Sequence, residues 1–303
     1  MKKFFISILK ALGYFGIYLG AQLLVCFVYT IIVTIPIAVK YSLGNYNLMD
    51  PVVMSQYMGE VMEKILEATM PLTIISGLLT IGVVCLVFVC RKKKLTEALC
   101  LRKISGSTAV CVAFMGFGFN LLMGVLFMIL PEAWLSSYEE TANAAFVGEF
   151  WLIAITVAVM APLVEELVFR GLIYTRLKQG MPVAVAAGIT AVWFGVMHGH
   201  PLWIAYAAVL GLIMIWIFER TRSLLASILF HFGYNSVAVI EMALPESIPD
   251  WVGLAMIGAG AVLSAVCVYC FLKLPKAENA EGIRVQEITA QADMTEETTE
   301  NFK

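Results

Sequence analysis

The sequence predicts an all-α, polytopic membrane helical bundle, and three observations carry that prediction. Hydrophobic residues make up 61% of the chain and charged residues 14%, with a mean hydropathy of +0.88; a soluble globular domain carries about 25% charged residues. Apolar runs recur along the 303 residues, each near the roughly 20 residues needed to cross a hydrocarbon core about 30 Å thick. The connections between runs alternate between basic and acidic or neutral. About eight spans follow, with both termini cytoplasmic, in a multi-pass protein of the cell membrane. The surroundings are the lipid bilayer, and nothing in the chain points to nucleic acid.

The first span is expected at about 11–39. The opening Met1-Lys-Lys-Phe-Phe resembles the basic end of a signal peptide, but the apolar stretch runs on to Val39, so it reads as an uncleaved span. Gly16-x-x-x-Gly20 within it would allow close helix packing. Residues 51–68 can form a short amphipathic helix on the outer surface. Span two, 69–90, is followed by Arg91-Lys-Lys-Lys94, Arg102 and Lys103. Span three, 108–130, leads to the acidic connection 131–149, with Glu132, Glu139, Glu140 and Glu149 and no base.

Span four, 150–176, ends at Arg176 and Lys178. Spans five (181–199) and six (202–218) follow, the fifth with a small face of Ala187, Ala191 and Gly195, the sixth ending at Arg220 and Arg222. Spans seven (224–244) and eight (251–273) complete the bundle, with Lys273 and Lys276 beyond. By the positive-inside rule every one of these basic connections is cytoplasmic. The seven cysteines, an odd number placed in helices or cytoplasmic turns, argue against a disulfide framework. Cys267-x-x-Cys270 inside an apolar helix reads as packing. The chain divides into three N-terminal spans (1–145), a core (146–274) and a Thr-, Glu- and Ala-rich tail (275–303), cytoplasmic and too poor in large apolar residues to order itself.

Charge inside this bundle is informative. Glu165 and Glu166 follow the uncharged run from Trp151 to Val164, and each costs roughly 2.5–3.5 kcal/mol at mid-membrane on insertion scales. Arg170, four residues after Glu166, shares its helical face. Glu165 lies about 100° around the helix, which leaves it for chemistry while Glu166–Arg170 holds the helix. His198 ends span five in Phe194-Gly-Val-Met-His198. His231 and Asn235, one turn apart in span seven, face the same neighbour. Ionisable groups in a membrane turn to the bundle interior, so Glu165, His198, His231 and Asn235 converge. His200, between Gly199 and Pro201, belongs to a turn; Asn120 and Glu241 read as interhelical hydrogen-bonding groups.

Depths agree only in part. At 1.5 Å per residue, Glu165 lies about 16 Å from Arg176 and His231 about 14 Å from Arg222, but His198 lies about 26 Å from Met181. One carboxylate and two imidazoles, Glu165, His198 and His231, can ligate a divalent metal with a position open for water. Without metal, the carboxylate and an imidazole can act as general bases, with His231 and Asn235 donating to an oxyanion. Both routes hydrolyse a carbonyl bond.

Glu165-Glu-Leu-Val-Phe-Arg170, Phe194-Gly-Val-Met-His198 and His231-Phe-Gly-Tyr-Asn235, in this order on three spans, resemble the three motifs of the CPBP intramembrane metalloprotease family, which includes type II CAAX prenyl endopeptidases and Abi-type proteins. The likeness covers about 145–245. It implies an eight-helix bundle with a catalytic chamber open toward the cytoplasm. It also implies that Glu165 and His198 activate water, and that His231 and Asn235 serve the oxyanion or metal. Glu166, Arg170 and Phe194 are support, and a zinc ion is the cofactor such a site would take. The expected activity is endoproteolysis of a membrane-associated substrate: a prenylated CAAX tail, a peptide precursor or a membrane-protein segment. A bacteriocin-immunity or scaffold protein would keep the Glu166–Arg170 clamp without hydrolysis. A proton-coupled transporter would also explain buried Glu and His, but the chain lacks the short, Gly/Pro-interrupted helices in corresponding halves that mark inverted repeats.

Overall fold

The computed structural model describes residues 2–244 and 249–275, and among them there are helices and no strands. The helices are α1 (Lys2–Leu43), α2 (Pro51–Glu67), α3 (Thr69–Cys90), α4 (Gly106–Ile129), α5 (Glu132–Ala145), α6 (Phe150–Leu177), α7 (Val183–Val196), α8 (Pro201–Thr221), α9 (Leu224–Glu241) and α10 (Asp250–Lys273). The tail expected from 275 onward lies, after Pro275, outside the described residues. Local chemistry sets several starts. Asp50 accepts from Val52 N at 2.8 Å with Pro51 leading α2, and Ser105 accepts from Thr108 N at 3.1 Å at the head of α4, each satisfying a backbone donor the helix cannot.

Among the described residues, seven helices are long and apolar enough to cross a membrane: α1, α3, α4, α6, α8, α9 and α10. The expected fifth span is the exception. α7 has 14 residues, about 21 Å of rise, well short of the hydrocarbon core. It turns at 197–200, where Gly199 takes φ +77°, and returns as the full-length α8. The turn stands against α5, with Gly199 exposed and His200 meeting Ser137 at 3.3 Å. The small face packs as its composition requires, since a Cβ on Gly195 would sit 2.5 Å from Ile204 O, and one on Gly211 3.1 Å from Ala191 Cα. Gly16 and Gly20, by contrast, have nothing within 4 Å and face outward.

α4 is the post against which α9 and α10 pack. A Cβ on Gly116 would lie 1.9 Å from Phe230 O, and one on Gly233 2.0 Å from Ala113 O. Backbone meets backbone here, so no side chain can yield. Gly233→Ala is therefore expected to cost 1–3 kcal/mol or more, seen as a lower Tm in detergent, while Gly16→Ala leaves Tm unchanged; equal Tm values for the two would contradict this contact.

The basic loops gather on one face. Ser223 donates to Arg102 O, Leu224 N to Cys100 O at 3.0 Å, and Arg220 to the carbonyls of Phe271, Leu272 and Leu274. Glu219 pairs with Lys178 and Arg222. On the opposite, acidic face, α1 runs on beyond the start of α3. Tyr29 donates to Lys64 O at 3.2 Å and Tyr41 rings pack on Tyr57. α2 thus lies antiparallel to the last third of α1, as an amphipathic hairpin rather than a lone surface helix. The connection expected at 131–149 contains α5, which docks Tyr138 against Trp203 of α8.

Candidate active site

α6 carries the two glutamates on an irregular helix. Ile155–Met160 and Leu167–Tyr174 form wide π turns on either side of Ala161–Glu166. Pro162 offers no N–H and its ring crowds the preceding turn, which accounts for the break in regular bonding just before it. Such widened turns rotate a helix locally and recur at functional sites. Here they turn Glu166 fully inward, with no exposure, and leave Glu165 with 19% of its side chain accessible.

Glu166 is the hub. Its Oε1 accepts from Arg170 Nη1 at 2.7 Å and from His231 Nδ1 at 3.0 Å. Arg170, also wholly buried, donates to Gly211 O at 3.2 Å and stacks 4.3 Å above the Phe194 ring, a cation–π contact strengthened by burial. Phe194 is in turn edge-to-face with both His198 and His231. The ion pair expected between Glu166 and Arg170 is present, and Phe194 touches Arg170, His198 and His231.

That bond fixes the orientation of His231. A carboxylate paired with an arginine only accepts, so Nδ1 donates to it and Nε2 is turned toward the chamber. Nε2 lies 3.8 Å from Glu165 Oε2, a gap one water can bridge. His198 follows the same logic: Nδ1 sits 2.9 Å from Phe194 O, a carbonyl that only accepts, so Nδ1 is the donor. Asn235 donates to Val157 O at 2.8 Å, and its amide retains a second N–H.

Glu165, His198, His231 and Asn235 all line one cavity of about 330 Å³. Glu165 and His231 are adjacent within it; His198 contributes to the wall from the end of α7. His200 lines a different contact, accepting from Leu202 N at 3.3 Å through Nδ1 and meeting Ser137 at 3.3 Å through Nε2. It fastens α5 to α8. Asn120 donates to Tyr234 O at 2.9 Å, as an interhelical group should.

The donor set tests the expected zinc site of Glu165, His198 and His231. Among the described residues no three His, Cys, Asp or Glu side chains are grouped to hold an ion. The Glu165–His231 pair offers two ligands where a catalytic zinc takes three from protein. The residues as arranged do not fit that centre.

The cavity walls come from Thr69 and Thr73 of α3, Tyr138 and Phe146 at α5, Thr156 of α6, Trp203 of α8 and Glu241 of α9. Each sits toward the end of its helix remote from the basic loops. The chamber therefore extends to the acidic face. Tyr138, Phe146 and Glu241 were not legible as wall residues, although the Trp134, Leu135 and Tyr138 spacing in α5 marks an apolar helical stripe.

A helical membrane bundle with a carboxylate–imidazole centre in a mid-membrane chamber is the class that fold and site define. Residues 147–237, just under a third of the chain, match the family model of the type II CAAX prenyl endopeptidase Rce1-like proteins. Over that stretch the chain is similar to CAAX-protease-type hydrolases. Comparison with curated proteins and with solved structures gave no match.

Proposed function

We propose that this protein is an intramembrane endopeptidase that hydrolyses a peptide bond of a membrane-associated substrate, a CAAX-type tail or a peptide precursor, at the cell membrane with its basic face cytoplasmic. The observation that carries the reading is the approach of a partly accessible Glu165 carboxylate to His231 Nε2 at 3.8 Å. A water between them loses a proton to Glu165 as its oxygen attacks the carbonyl carbon. The C–N bond then breaks, and Glu165 returns the proton to the leaving amine. His231, held by Glu166, orients the water through Nε2. His198 lines the same chamber as a second base for that water. The free N–H of Asn235 serves the oxyanion of the tetrahedral intermediate.

The test uses the full-length protein and Glu165→Gln in liposomes, incubated with a library of membrane peptides and read by mass spectrometry. Glu165→Gln is expected to lose a factor on the order of 10²–10⁴ in rate while folding normally. Undiminished cleavage by the variant would overturn the assignment; no cleavage by a folded wild type would favour a non-proteolytic immunity or scaffold role.

A further inference from the structure

The chamber is not the only cavity on the acidic side. A second, of about 550 Å³, lies between α4 and α10, walled by Gly124, Met128 and Ile257 with Asp250 at its edge. Glu241 lines both cavities. One carboxylate therefore stands where an apolar groove between two helices meets the chamber holding Glu165 and His231.

The charge on that side of the bundle is mostly negative. Among the described residues, segments 40–67, 131–149 and 241–250 carry ten Asp or Glu and two Lys. Both lysines are engaged: Lys40 with Glu60 at 2.9 Å and Lys64 with Glu67 at 2.7 Å. Among the described residues, no Lys or Arg lines either cavity. The nearest guanidinium, Arg170, is fully buried against Glu166. A clefted surface of one sign over low-dielectric walls concentrates ligands of the opposite charge and repels its own. A free C-terminal carboxylate brought to Glu165 would meet like charge and no cation.

We infer that, of the two substrate classes proposed above, the chamber takes the peptide precursor rather than the CAAX-type tail: an internal stretch of a cationic peptide enters from the acidic face with an apolar part in the α4–α10 groove and a basic side chain at Glu241. This rests on the hydrolytic reading of the chamber. Glu241 is the specificity residue and Asp250 assists it. Neither takes part in bond cleavage. Charge attraction at the mouth also makes capture salt-dependent, because exposed charges are screened within about 10 Å at 0.1 M salt.

The experiment separates binding from cleavage. Fluorescent peptides with one common Leu/Ala core and Lys-Lys, Ser-Ser or Glu-Glu flanks are titrated onto full-length Glu165→Gln protein in liposomes sorted for a single orientation. The expected result is at least tenfold tighter binding of the Lys-Lys peptide than of the Glu-Glu peptide in low salt. The difference should shrink in 0.5 M salt (roughly a 4 Å screening length) and appear only when peptide is added at the acidic face. Glu241→Gln with Asp250→Asn should cut the preference at least threefold. A Lys-Lys preference under tenfold, binding from the basic face, or a preference the double variant does not change would overturn the proposal. Because binding is read in a cleavage-incompetent variant, these outcomes stand apart from whether the wild type hydrolyses any peptide.

Discussion

Glu166→Ala is expected to be the most damaging single substitution in the chain. It leaves Arg170, with none of its side chain exposed, as an uncompensated charge inside a membrane bundle. Removing one partner of a buried pair costs about 3–5 kcal/mol. The variant should therefore express poorly and unfold at markedly lower temperature. Replacing both partners by apolar residues, Glu166→Leu with Arg170→Met, should recover most of that loss, since buried pairs exchanged for packed hydrophobes are often neutral. The recovered protein should still be inactive, because His231 Nδ1 has lost its acceptor. Thermal unfolding and peptide cleavage on the same three preparations check this; a double variant as unstable as the single would show that the pair is not the cause.

His231→Ala should abolish hydrolysis, with a rate loss of about 10²–10⁴. The informative companion is His231→Asn. An asparagine N–H can replace Nδ1 in the bond to Glu166 but offers nothing in place of Nε2. It is expected to restore stability relative to Ala and no activity. Cleavage by His231→Asn would mean that His231 only steadies Glu166 and that the imidazole facing Glu165 has no chemical part.

Much of this was legible in the sequence because membrane chains state their architecture loudly. Charge is costly in hydrocarbon, so Glu165, Glu166, Arg170 and His231 announced themselves by position alone, and the i, i+4 spacing gave the Glu166–Arg170 pair. What spacing along one helix cannot give is contact between helices. That Glu166 also holds His231 depends on the crossing of α6 and α9, and on π turns that shift the register of α6 by a fraction of a turn. The length of α7 was hidden for a different reason: Pro182, Met197 and Gly199 are compatible with either a span or a hairpin, and hydropathy does not distinguish them. α5 was read as a connection because its charges face outward and its apolar stripe is short.

The short α7 has a consequence for the lipid around it. Its outward residues Val183, Val185, Val192 and Val196 are about half exposed, so this 14-residue helix borders the bilayer directly. Neighbouring acyl chains must compress toward it, since hydrophobic mismatch is relieved by local thinning at a fraction of a kcal/mol per Å. Thick, sterol-like or long-chain bilayers would strain this edge and thin ones relax it. The protein is in that sense matched to a membrane thickness, and carries its own dimple beside the chamber wall.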